Sequence, residues 1–200
     1  VWPELKGSQA QAKRHKEFKE RKETGYATSE AQYRYWDHNV PMGRVAHLHV
    51  LDVASGRVTD LFEGSGLELS RAEPDANTFD IAPDGKRIAF VHDAAAEKRM
   101  DNCKVLSELN LRTRRTETLV HDKGWDLEHP RYSPDGQRIA FVASHQGKKH
   151  TMPAQLALLE RGGRWRVLSA EWDHAVHGPL RWADDGQSVH FTAEAEARNH

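Results

Sequence analysis

The chain has 200 residues, with 29 Lys and Arg against 30 Asp and Glu, for a formal net charge of -1. So even a balance gives no global drive toward nucleic acid or a membrane surface. Its single cysteine, Cys103, rules out an intrachain disulfide framework, and no run approaches the roughly 18 apolar residues of a spanning helix.

The chain opens on Val1-Trp2-Pro3-Glu4, with neither Met nor the basic start and apolar run of a signal peptide. This fits a processed chain or one cut from inside a longer protein, and it leaves the compartment open. Residues 1–42 read as a linker or insertion, with a polar helix around 8–24. Ser8 to Glu23 lacks Gly and Pro and is rich in helix formers. Lys13/Glu17, Lys16/Glu20 and Lys19/Glu23 stand four apart and suit a solvated helix. Phe18 is its only large apolar residue, so a solvated helix or a mobile excursion is expected. The local basic excess has no aromatic stacking platform beside it, so no nucleic-acid partner is expected.

From residue 43 the texture changes to short strands. Val45–Leu51 and Val58–Phe62 flank the turn Ala54-Ser55-Gly56-Arg57 and predict a hairpin. Later versions run Lys104–Leu111 to Thr116–Val120, and Gln155–Leu159 to Trp165–Leu168. A second kind of hairpin carries a repeated motif. DIAPDGKRIAFV begins at Asp80, RYSPDGQRIAFV at Arg131 and RWADDGQSVHFT at Arg181. In the first two, Pro presets φ, and in all three Gly accepts a positive φ, so each motif is strand, turn, strand. Ile81, Tyr132 and Trp182 correspond; so do Ile88, Ile139 and Val189, and Phe90, Phe141 and Phe191. At strand period two these positions point inward.

Two hairpins in about 50 residues make a four-stranded antiparallel blade, and its repetition predicts an all-β fold, an incomplete β-propeller. A single blade has two apolar faces and hides neither alone; neighbours cover each other. The expected domain spans 43–200: half a blade at 45–62, blades at 77–121 and 129–168, and half a blade at 179–193. About three blades are too few to close a ring of four to eight. Unpaired blade edges are therefore expected to pair with a second copy, giving a homo-oligomer.

The SPDGxxIAFV element resembles the blade motif of TolB-type propellers and of the S9 prolyl oligopeptidase family. Tyr33-Arg34-Tyr35-Trp36-Asp37, with His47-Leu48-His49-Val50-Leu51-Asp52-Val53-Ala54-Ser55-Gly56, resembles acylaminoacyl-peptidase-like and dipeptidyl-aminopeptidase-like S9 enzymes. Val1–Lys6 with the Lys/Glu-rich excursion is similar to that subgroup. The resemblance implies a two-domain parent, in which a propeller caps a C-terminal α/β-hydrolase domain with a Ser-Asp-His triad and admits short peptides. The nucleophile of such a domain sits on a G-x-S-x-G elbow. These residues contain no such elbow, so no catalytic residue is assigned and the chain is expected to be inert alone. Some dipeptidyl peptidases of the family hold the substrate amine with adjacent glutamates; no Glu-Glu pair occurs here, and Glu4 is not given that role.

Other candidates are weaker. Asp80, Arg131 and Arg181, each five residues before a turn Gly, are expected to line the channel or its mouth and to gate charged peptide ends, with simple solvation as the plainer alternative. Among 13 histidines, His47 and His49 with Asp52 have zinc-ligand chemistry, but a surface-facing strand alternation explains them. Asp173, His174 and His177, and Asp126 and His129, fall in predicted inter-blade connections. No metal or cofactor is expected. The remaining function class is a TolB-like propeller that binds another protein without an attached enzyme.

Overall fold

In the computed structural model, residues 1–35, 38–39, 42–71, 74–149, 151–195 and 198–199 are described. They gather into two compact units, Val1–Pro74 with Ala95–Asp101, and Asp75–Ala94 with Asn102–His200.

The first unit holds helix α1 (Ser8–Glu20) and the strand pairs β1 (Arg34–Tyr35) with β2 (His38–Asn39) and β3 (His49–Leu51) with β4 (Val58–Asp60). Trp36 and Asp37 of the RYWD element lie outside the described residues. The excursion is thus a helix, but it stops at Glu20, and Glu23 lies beyond it. Lys16 meets Glu20 at 3.9 Å as its spacing predicts, while Glu17 meets Arg14 at 3.7 Å. No residue of α1 is buried. The helix is instead pinned by Gln11. Its side-chain amide donates to the carbonyls of Trp2 (2.7 Å) and Leu5 (3.0 Å), and its oxygen accepts from Trp2 N at 2.9 Å. Phe18 then meets the buried Trp2 edge-on at 5.6 Å. Among the described residues, Trp2, Leu48, Leu61, Phe62, Leu69 and Ala96 are the buried apolar residues of this unit. The tip at 95–101 belongs here because it pairs by backbone with Ala31 and Gln32.

The second unit is made of three sheets. The first is β5 (Phe79–Ile81), β6 (Arg87–Asp93), β7 (Lys104–Asn110) and β8 (Thr116–Val120). The second is β9 (Trp125–Tyr132), β10 (Arg138–His145), β11 (Gln155–Glu160) and β12 (Trp165–Val167), with a short 3-10 turn at Gly147–Lys149. The third is β13 (Val176–Trp182), β14 (Val189–Ala195) and β15 (Arg198–Asn199). All pairings are antiparallel between sequence neighbours, so each sheet is a meander.

The repeated motif forms the same turn three times. Gly85, Gly136 and Gly186 have φ of 66, 66 and 68°. Each donates its N–H to the carbonyl three residues back at 2.8–2.9 Å. Asp84, Asp135 and Asp185 accept from the N–H two residues on at 2.9–3.0 Å. The third copy lacks the proline, so the Asp cap and the left-handed Gly suffice to make the turn.

Strand period two divides each sheet between two interfaces. On β10, Ile139, Phe141 and Ala143 join a core with Ala89, Val91, Leu106 and Val120 of the first sheet. Ala140 and Val142 face the other way, in a core with Val176 and Leu180 of the third. Phe90 and Phe141 are fully buried, while Ile81 is 53 % exposed. Ile81 departs from its expected inward position because β5 opens the unit's first sheet. Tyr132 and Trp182, by contrast, each have a preceding sheet to rest against.

Candidate functional site

The first strands β5, β9 and β13 lie side by side within the second unit. They carry the three residues expected to gate the channel. Asp80 accepts from the backbone N–H of Tyr132 at 2.8 Å, and burial pushes its carboxyl above the usual range. Arg131 donates to Asn77 Oδ1 at 2.5 Å and to the carbonyls of Pro130 (2.7 Å) and Phe79 (3.3 Å). The carbonyl of Arg131 in turn accepts from Trp182 Nε1 at 3.0 Å. Asp80 and Arg131 therefore join successive first strands. Arg181 is exposed on β13, next to the exposed Pro179 and His177.

His129 and Asp126 lie within β9, not in a connection. The strand continues past an irregularity opposite Ala140/Val142 and pairs Leu127 with Ala143. At the irregularity His129 adopts φ 54°, a left-handed conformation that costs of order 1 kcal/mol for a residue with a Cβ. Its ring lies against Gly178 of β13, where a Cβ would stand 2.6 Å from the ring. The ring's Nδ1 is buried without a hydrogen-bond partner, and burial holds the imidazole below its ordinary range despite Glu128 and Asp75 nearby. Asp126 accepts from Lys104 N (2.9 Å) and Gln146 Nε2 (2.7 Å), while Lys104 Nζ reaches Glu128. Burial raises the Asp126 carboxyl. These contacts tie strand ends together and present no arrangement of nucleophile and base.

Of His47 and His49, His49 is exposed on β3 as a surface alternation predicts, and His47 departs from it. His47 is buried, its side chain 3 % exposed, with Nδ1 at 2.8 Å from Asp60 Oδ2. His49 comes within 3.8 Å of the same carboxylate. Asp52 instead caps its own turn, accepting from Ser55 N and Oγ. Antiparallel register sets this outcome, because His49 stands opposite Asp60 across the hairpin. Asp173 pairs with the adjacent His174 at 3.2 Å, whereas His177 is already part of β13. Among the described residues, no three His, Cys, Asp or Glu side chains gather as a metal site.

A polar cluster that the sequence reading missed lies between the first two sheets. Glu108 Oε2 accepts from Tyr132 Oη (2.7 Å) and Arg87 Nη1 (3.1 Å), and Arg161 stands 3.6 Å away. Burial and this carboxylate push the Tyr132 phenol well above its ordinary value. Arg87 also lies over the Tyr132 ring, 5.4 Å from its centroid. The cluster borders a cavity of about 450 Å3.

Sheets stacked face to face, each reusing one turn motif, define a β-propeller module. No protein-family model matches the chain. Over 191 residues, 90 % of its length, it is 27 % identical to dipeptidyl-peptidase 5 of Porphyromonas gingivalis and spans 27 % of that protein. Over 112 residues, 56 % of its length, it is 30 % identical to the uncharacterized peptidase YuxL of Bacillus subtilis, of which it spans 16 %. Among solved structures it is similar to TolB from Acinetobacter baumannii, with a TM-score of 0.51 and 21 % identity, covering 76 % of this chain and 33 % of that one. These likenesses fit a propeller portion of the S9, prolyl oligopeptidase, family.

Proposed function

We propose that this propeller caps a separate α/β-hydrolase domain with a Ser-Asp-His site, gates the entry of short peptides to it, and is inert alone. The observation that carries the reading is the 27 % identity across 90 % of the chain to a dipeptidyl-peptidase. Arg181, exposed on a first strand whose neighbours hold Asp80 and Arg131 in mutual contacts, is the gating residue left free to meet a peptide carboxylate. A cation in a cleft acts chiefly on encounter, so it belongs to KM more than to kcat.

The test has two arms. Sequencing the gene beyond residue 200 should reveal an alternating βα region with G-x-S-x-G. A stop codon after further blades would instead support a TolB-like protein-binding module. Dipeptidyl and aminoacyl chromogenic substrates should not turn over with this chain. In the intact enzyme, Arg181→Glu should raise KM severalfold for peptides with a free carboxylate and leave kcat unchanged. Turnover by the isolated chain that is lost on a serine substitution would refute inertness.

A further inference from the structure

The repeat supplies an internal control for the cavity between the first two sheets. Position 108 on β7 corresponds to 158 on β11, since Leu109 faces Ile88 and Leu159 faces Ile139. At the junction of the second and third sheets that position is Leu158, and its cross-strand neighbour is Arg166. At the first junction the same two places hold Glu108 and Glu117, directly opposite each other. The fold is thus satisfied by an apolar residue where the first junction buries a carboxylate. Like charges across a strand pair are unfavourable, and burying one of them adds a desolvation cost. Arg87 and Tyr132 compensate Glu108, so the departure leaves a charge pattern at the cavity, with Glu117 and Arg161 at its border, and that pattern points to a ligand.

The cavity, about 450 Å3, suits a molecule of one or two residues. Leu119, Ile139 and Leu159 give its lining an apolar part. Glu117 and Arg161 also line it, and both are accessible, the Arg161 side chain 50 % exposed. Arg87 is held by Asp84 and Glu108, but Arg161 stands 3.6 Å from Glu108, beyond a good hydrogen bond. Its Nη1 sits in a loose ion pair with Glu108, and its half-exposed fork has the geometry to take a carboxylate in bidentate fashion as well.

We propose that this cavity binds a small zwitterion with an apolar side chain, an amino acid or dipeptide. Its carboxylate pairs with Arg161, its amine lies by Glu117 and Glu108, and its side chain packs on Leu119, Ile139 and Leu159. The site stands on the cavity and its charges. Only the expectation that such ligands are at hand rests on the peptidase reading.

Titrating the chain with L-leucyl-L-leucine, followed by amide resonances, tests it. Saturable shifts are expected at Gly136, Gly162 and Gly163. Affinity should fall about tenfold or more in Arg161→Gln and in Glu117→Gln, and with the uncharged N-acetyl-leucinamide. Both side chains are accessible, so both variants should fold as the parent does, with Glu117→Gln melting no lower than the parent because it removes a like charge opposite Glu108. Three results would overturn the proposal: no saturation by roughly 10 mM, equal binding of the uncharged analogue, or shifts indifferent to both substitutions. A missing hydrolase domain would sink the cap reading and leave this measurement standing.

Discussion

Arg138 lies over the indole of Trp182, 4.9 Å from the ring centroid, and donates Nη2 to the carbonyl of Gly186 at 2.7 Å. One sheet's arginine thus holds the ring and the turn of the next. Arg87 repeats the contact one sheet earlier, lying over Tyr132 with Nη2 at 3.3 Å from the site of a Cβ on Gly136. Arg138→Ala should lower unfolding free energy by about 1–3 kcal/mol, combining a cation–π contact with a hydrogen bond. Arg138→Lys should recover part of it. Urea unfolding reads both, and a loss below experimental error in Arg138→Ala would mean that the contact is incidental.

Asp80 carries an unfavourable charge in the folded chain, because burial raises its carboxyl even though Tyr132 N and Arg131 oppose the shift. Its folded form binds more protons than its unfolded form, so its contribution to stability is lost as pH rises from about 4 through the folded value. Asp80→Asn keeps an acceptor for Tyr132 N without that charge. The variant's stability relative to the parent should therefore climb as pH goes up through this window and stay level above it. Denaturation at a series of pH values would show whether the difference is flat, which would contradict the assignment.

Gly178 and His129 form a matched pair. A Cβ at 178 would stand 2.6–2.9 Å from three ring atoms of His129. Gly178→Ala should cost about 1–3 kcal/mol through overpacking. In the His129→Gly background the same substitution should cost much less, since the ring is gone and glycine relaxes the positive φ. A double-mutant cycle with no coupling would show that the two positions are independent.

Histidines held low by burial, namely His92, His129 and the more exposed His145, should make stability sensitive to mild acid. His92 and His129 are both held below the ordinary value by burial. Each binds fewer protons folded than unfolded, so stability should fall as pH drops through about 6.5 and go on falling until the folded rings titrate. His92→Gln keeps a hydrogen-bonding group near Ser107, now 3.1 Å from the ring, and should flatten part of that slope. An unchanged slope would assign the acid sensitivity elsewhere.

The hairpins were legible because turn chemistry is local. Asp84-Gly85 and its two copies announce their turns, and β8 runs from Thr116 to Val120 as its pattern predicts. Contacts that depend on register were not legible. Asp52 stands near His47 and His49 in sequence, yet the antiparallel ladder brings Asp60 to them. β9 begins at Trp125, ahead of the repeated motif, because pairing resumes beyond an irregularity that no turn residue marks. Glu108 escaped notice for a related reason. An acid in an otherwise alternating strand reads as solvent-facing until the next sheet is laid against it.

Along β10, adjacent residues serve different interfaces: Ile139, Phe141 and Ala143 on one side, Ala140 and Val142 on the other. The second unit is therefore a laminate, in which neighbouring seams share a backbone but no side chain. Hollowing one seam, as at Phe141, leaves every contact atom of the other in place, and only the ribbon between them can carry the disturbance across. Each seam can thus be varied nearly on its own, which is how one junction can hold the ion-paired Glu108 beside its cavity while the next, built on the same motif, sets Leu158 at that position and opens instead beside Leu156, Trp172 and Phe191.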